Sequence, residues 1–103
     1  MILALAGGVG GAKLANGFAK ILDPDQLLVV VNTGDDFEHF GFPISPDLDT
    51  VTYTLAGMNN AEAGWGLAGE SWEFMNALER LGGEGWFRLG DQDLATPVMR
   101  AKF

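Results

Sequence analysis

Two apolar runs of five residues, Ile2–Ala6 and Leu27–Val31, flank a stretch in which Leu14, Ala15, Phe18, Ile21 and Leu22 recur at helical spacing. Short continuous apolar runs suit strands buried in a parallel sheet, and the 3.6-residue recurrence suits an amphipathic helix. The turn Gly7-Gly8-Val9-Gly10-Gly11 joins the first run to the helix, and Asp23-Pro24 stops the helix. Strand, glycine turn, helix, strand is a βαβ unit, whose crossover is expected to be right-handed. The fold class predicted is α/β: a Rossmann-like parallel sheet with flanking helices.

Further along, Ser45-Pro46-Asp47 predicts a helix start, with Ser as N-cap, Pro in the first turn and an acid at the positive end. Leu48, Val51, Thr52 and Leu55 then share one face, and Gly57 ends the helix. Residues 58–69, rich in Gly, Ala and Asn, predict a loop. Ser71 is the expected cap of a third helix with Phe74, Met75, Leu78 and Leu81 inward, ended by Gly82-Gly83. Trp86–Leu89 reads as a short strand opening into Gly90-Asp91. Asp93–Lys102 has helical character that Thr96-Pro97 is expected to break or restart. At most three strands result, few for a doubly wound sheet, so the chain reads as truncated: residues 1–103 as the N-terminal portion of one α/β domain.

A chain of 103 residues makes at most one small domain with a thin core. Cysteine is absent, which excludes a disulfide framework, a thiolate zinc site and a cysteine nucleophile. The opening MILALAGG is too short and lacks a basic flank, so neither a signal peptide nor a membrane span is expected, and a cytoplasmic location is the default. Net charge is −8, and no Lys or Arg occurs across 21–79, where eleven of the fourteen acids lie. Such a surface repels nucleic acid. An anionic small molecule would need backbone N–H groups and a bound cation to neutralise it.

Candidate chemistry concentrates in two places. The glycine turn leaves free N–H groups at a helix N-terminus, a ready anion site, although a tight packing turn would look the same. It is no Walker loop, since Ala12 and Leu14 flank Lys13, and no full dinucleotide fingerprint, since Lys13 stands where the third glycine belongs. The segment Asn32–Thr50 packs Asp35, Asp36, Glu38, Asp47, Asp49 and the sole histidine, His39, without a cation. Taken singly, these acids read equally well as solvated turn or helix-start residues. Together they point to a cation, and hard oxygen ligands suit magnesium. Asp47 and Asp49 stand about 200° apart on a helix and cannot both face one ion from a regular one. His39 has no partner for a transition-metal site. Phe37, Phe40 and Phe42 could wall a planar ligand or simply pack, as could Trp65, Trp72 and Trp86. Arg88, just before Gly90-Asp91, could clamp a ligand or pair with Asp91 or Asp93.

With these residues laid out, the chain resembles the 2-phospho-L-lactate transferase family of coenzyme F420 biosynthesis. The matching pieces are LAGGVGGAKL, VVVNTGDDFEHFGFPISPDLDTVTYTLAG, GWG and WFRLGDQDLAT, and they cover about the first third of a typical member. The resemblance implies a Mg2+-dependent transfer of a phospholactyl or phosphoenolpyruvyl group from a guanylylated donor to the deazaflavin Fo, with GMP released. It implies deazaflavin contacts at Asp49 and Arg88 and phosphate or nucleotide contacts at Gly7, Gly8, Gly10 and Gly11; within that reading Asp47 and Asp49 are the candidate metal residues, and also the candidates for a general base that is left unassigned. A homodimer is the assembly considered. The rest of the family's donor site is absent, so this polypeptide alone is expected to be inactive. The alternatives are a non-catalytic nucleotide or nucleotide-sugar binding regulatory protein of the same fold, or an inactive fragment. Calorimetry with Fo and guanine nucleotide separates them.

Overall fold

The computed structural model describes residues 1–62 and 66–102. Trp65, in the GWG piece, lies outside them. Strand β1 (Ile2–Ala6) and strand β2 (Leu27–Val31) pair in parallel, Ile2 opposite Leu27 through Ala6 opposite Val31. Helix α1 (Gly8–Ile21) connects them and ends with Leu22 as its C-cap just before Asp23-Pro24, as its sequence predicts. The βαβ reading therefore stands, and the fold is α/β.

The expectation that both strands are buried does not stand. Alternate side chains of a strand point to opposite faces. Ala4, Ala6, Val29 and Val31 face Ala12 and Ala15 of α1 and Val51 of helix α2 (Pro46–Ala56), which together form the core. Leu3, Leu5, Leu28 and Val30 face the other way and are exposed, Leu5 to 74%. Among the described residues nothing covers that face. The packed face is built from small side chains, so α1 approaches closely. A Cβ at Gly11 would meet the Ala6 Cα at 2.8 Å, which makes glycine obligatory there.

The acidic segment holds structure that its sequence does not announce. Strand β3 (Phe37–His39) and strand β4 (Phe42–Ile44) form an antiparallel hairpin, with His39 opposite Phe42. Its two loop residues, Phe40 and Gly41, have φ of 52° and 79°. Two positive φ values are the signature of the hairpin turn that Asn-Gly usually fills. Phenylalanine in that place stores about 1–3 kcal/mol of strain. Hairpin alternation was obscured because three strand residues a side give almost no period to read.

The prediction of a strand at Trp86–Leu89 fails, since that segment is irregular. The described strands are thus four, in two separate pairs, rather than at most three. α2 begins at Pro46 as expected, but Ser45 does not cap it with its side chain; its hydroxyl donates to Asp36 at 3.1 Å. The buried residues of α2 are Val51 and Tyr53, while Leu48 and Leu55 remain partly exposed. Helix α3 (Glu73–Arg80) is capped from a distance, not by Ser71. The Asp91 carboxylate accepts the backbone N–H of Glu73 at 3.1 Å and of Phe74 at 2.9 Å, and the Ser71 hydroxyl at 2.7 Å. Met75 is its buried residue, and Leu81 stands exposed beyond its end. Helix α4 (Ala95–Lys102) runs through Pro97 unbroken. Pro97 is its third residue, where backbone N–H groups have no intrahelical acceptor to lose. The radius of gyration, 14.9 Å, exceeds the about 13 Å usual for this length, in keeping with principal-axis extents of 50 × 26 × 21 Å.

Candidate functional site

The carboxyl ends of β1 and β2 carry the first part of the site. Only Gly7 of the glycine turn precedes α1; Gly8 to Gly11 are the helix's first turn, with Gly8 at φ 69°. First-turn N–H groups have no intrahelical acceptor, so this turn presents several donors together with the positive end of α1. Next to it opens a cavity of about 310 Å³ lined by Leu5, Ala6, Gly7, Val30, Val31 and Asn32. That volume lies at the small end of ligand pockets.

Asn32, which sequence reading passed over, organises this corner. Its backbone N–H continues the parallel ladder to the Ala6 carbonyl at 2.9 Å. The side-chain oxygen accepts the Gly34 N–H at 3.1 Å, and the amide donates to Asp47 at 2.9 Å. An Asn directly after a Val-rich strand and two residues before a Gly was the available signal, since Asn ties such a turn to its own side chain. The Asp47 carboxylate is thereby held over the glycine turn, 3.7 Å from where a Cβ would stand on Gly7 and 3.9 Å from one on Gly8.

A carboxylate beside an anion site is repulsive unless a cation lies between them. The donor chemistry fits magnesium in that limited sense: one carboxylate, with substrate phosphate and water completing the shell. No group of three or more His, Asp and Glu able to hold a metal occurs among the described residues. Asp35, Asp36 and Glu38 are exposed, and Asp36 is engaged with Ser45.

Asp49 lies in a different setting. One of its oxygens accepts from Arg100 of α4, whose other terminal nitrogen donates to the Pro43 carbonyl at 2.9 Å. Burial pushes the Asp49 carboxyl up from its ordinary value, against the opposing pull of the Arg100 guanidinium. Nearby, the Tyr53 hydroxyl donates to Asp93 at 2.5 Å and lies 2.6 Å from the Thr96 hydroxyl. Burial raises the Tyr53 phenol as well, reinforced by the Asp93 carboxylate. Burial likewise raises Asp93. Arg100 was missed because it lies fifty-one residues from Asp49 in sequence. The one available signal was electrostatic: eleven acids without a cation in 21–79 must find one elsewhere in the chain.

Asp47 and Asp49 thus meet different partners, in keeping with their angular separation on α2. Arg88 joins neither. It bonds Glu79 in an ion pair, donates to Asn76 at 2.7 Å and lies 5.8 Å above the Trp72 ring. Its pairing is with Glu79 and not with Asp91 or Asp93. His39 is buried to 5% exposure among Phe37, Phe40, Trp86 and Phe87, with ring centroids 4.0 to 6.2 Å from its own.

Residues 2–103 match the family model described as 2-phospho-L-lactate transferase CofD. A phosphoenolpyruvate transferase of Kitasatospora aureofaciens is 46% identical over 103 residues, which is 98% of this chain and 32% of that protein. A 2-phospho-L-lactate transferase of Methanocorpusculum labreanum is 43% identical over all of this chain and 34% of its own length. A phosphoenolpyruvate transferase of Mycobacterium bovis is 43% identical over 98% of this chain and 35% of its own. The chain spans about a third of the length of the curated relatives it matches. No helix among the described residues is long and apolar enough to cross a membrane. On the extent of the family match, the chain belongs to the 2-phospho-L-lactate transferase family.

Proposed function

We propose that this chain supplies the phosphate-holding and acceptor-facing part of a Mg2+-dependent transferase of coenzyme F420 biosynthesis. The reaction moves a phospholactyl or phosphoenolpyruvyl group from a guanylylated donor to a hydroxyl of the deazaflavin Fo and releases GMP. The observation that carries this reading is the Asp47 carboxylate held by Asn32 over the glycine turn, at the carboxyl ends of parallel strands. Ligands of open α/β sheets bind at that place.

Group transfer at phosphorus demands positioning and neutralisation of charge more than covalent chemistry from the protein. The first-turn N–H groups of Gly8, Val9, Gly10 and Gly11 would bind the pyrophosphate oxygens. Asp47, oriented by Asn32, would hold the magnesium, which when bound supplies the positive charge that an acidic chain lacks. Asp49 faces the acceptor in this reading, and its raised pKa suits a carboxylate that accepts a proton from a hydroxyl. Arg88, held by Glu79 and Asn76 over Trp72, would flank the same acceptor.

Isothermal calorimetry of the chain with GMP, with and without magnesium, tests it. Magnesium is expected to strengthen binding, and Asp47→Asn to cancel most of that gain, by about ten- to a hundredfold. GMP binding that ignores both magnesium and Asp47→Asn would sink the assignment.

A further inference from the structure

Between the β3–β4 hairpin and the Trp86-Phe87 segment lies a polar atom that no described residue satisfies. His39 Nε2 is buried and has no hydrogen-bond partner among the described residues. Buried nitrogen without a partner is costly, and a phenylalanine would fill the same space without that cost. Packing alone therefore does not account for a histidine here.

Two neighbours of that imidazole are equally hard to explain by packing. Phe40 occupies the first loop position of the hairpin at φ 52°, the sole non-glycine with positive φ among the described residues. Its ring lies 4.0 Å from the imidazole, tilted by 49°, yet is 42% exposed. Trp86, 5.2 Å from His39, is 67% exposed. Large rings bared beside a buried unsatisfied nitrogen favour a ligand with a flat apolar face and a polar edge. Strain held at a single residue favours a segment whose relaxation is used.

We propose that Phe40 and Trp86 form a clamp for a planar, uncharged heteroaromatic ring, whose polar edge hydrogen-bonds His39 Nε2 when Phe40 moves off the imidazole. The charge pattern selects the ring end of a ligand and not its phosphate end. Glu38 adjoins His39, and Asp35 and Asp36 stand exposed at the foot of the hairpin, so anionic groups are repelled there. The hairpin also places the clamp within reach of the phosphate corner. Its foot is tied to α2 by the Ser45–Asp36 bond, next to Asp47, and three strand residues span about 10 Å. A ring in the clamp and a phosphate on the glycine turn could thus belong to one reacting assembly. For the identity of the ring this inference rests on the proposed transferase, which offers two candidates: the deazaflavin and the guanine base.

The experiment titrates the chain with Fo and with GMP separately, by calorimetry, in three forms: unaltered, Trp86→Leu and His39→Leu. Trp86 is exposed, so its replacement leaves the fold intact. Weakening of one probe by about tenfold or more in both variants supports the clamp and names the ring. His39→Leu is expected to keep its circular dichroism and to melt at the same or a higher temperature, because it removes the unsatisfied nitrogen. His39 is the sole histidine, so the 15N signal of its ε2 nitrogen is unambiguous and is expected to shift when the probe binds. Phe40→Gly should raise the melting temperature while weakening the same probe. Equal affinities in all forms, or no binding of either probe, overturn the clamp. The transferase reading fails on different evidence, the indifference of GMP binding to magnesium and Asp47, so the two failures are distinguishable.

Discussion

Asp47 and Asp49 leave the same first turn of α2 and enter unlike surroundings. At the glycine corner, the Asp47 side chain accepts from the exposed Asn32 amide, beside a cavity and the first-turn N–H groups of α1, which have no intrahelical acceptor. At the α4 corner, Asp49 is held by the Arg100 guanidinium, and close by Tyr53 bonds with Asp93 and Thr96 in a half-buried set of its own. The first corner is built from small residues and open space, the second from side chains that satisfy one another. A carboxylate with spare coordination next to a cavity is free to serve a ligand. A carboxylate already paired serves the fold first, and reaches a ligand only by sharing or leaving its partner. Sequence proximity therefore groups residues that the fold assigns to different work.

The most damaging way to break the contrast is to remove the cation from the closed corner. Arg100→Met strands Asp49 and frees the Pro43 carbonyl, so stability should fall by about 2–4 kcal/mol, measured by urea denaturation. The glycine corner should be untouched, with nucleotide affinity unchanged under conditions where the variant is folded. A loss below 0.5 kcal/mol, on the order of an exposed surface pair, would show that the Asp49–Arg100 pair is no more than that.

Much of the frame was legible because it rests on local signals. The apolar runs give the two parallel strands, and Pro24 and Pro46 mark a helix end and a helix start where they are expected, whereas the glycine turn is legible only in part, since α1 already begins at Gly8. What was hidden depends on distance or on shortness. Asp91 caps α3 from seventeen and eighteen residues away, and Arg100 pairs across fifty-one, separations no window of sequence spans. The hairpin hides because three-residue strands carry too little alternation to detect, and its turn uses Phe-Gly where Asn-Gly would have announced it. Burial of the strands was over-read, since a continuous apolar run states that both faces are apolar and not that both are covered. At the site, the glycines and Asp47 could be singled out from their types and positions, whereas Asn32 could not, because its importance comes from joining β2 to α2.

A gentler change to the open corner is Asn32→Ala. It removes the amide bond to Asp47 and the acceptor for Gly34, both exposed, so the cost in stability should be about 1 kcal/mol. The larger consequence should be functional: Asp47 loses its orientation, and the dependence of GMP affinity on magnesium should weaken while Arg100→Met leaves it intact. If both variants weakened it equally, the two corners would be one coupled unit and the contrast between them would dissolve.

The smallest expected effect, and the finest test, is the response to pH. Burial raises Asp49 and Asp93 above the ordinary carboxyl value of 3.8, so for these groups the folded chain holds its protons more tightly than the unfolded one. Their contribution is therefore full below pH 3.8 and is lost as pH rises through the raised values. Asp91 behaves oppositely. Hydrogen bonds from the Phe74 N–H, the Ser71 hydroxyl and the Glu73 N–H hold its carboxyl below 3.8, so its contribution is present above that value and lost as pH falls through the lowered one. Asp93→Asn keeps an acceptor for Tyr53 and mimics the protonated state, so it should cost little at neutral pH and remove part of the decline with rising pH. Asp91→Asn should instead flatten the acid side, where α3 loses its cap. Stability measured from pH 3 to 7 in the two variants separates these signs. An Asp93→Asn variant that is weaker at pH 7 than at pH 3, relative to the unaltered chain, would mean that pairing with Tyr53 outweighs burial at the closed corner.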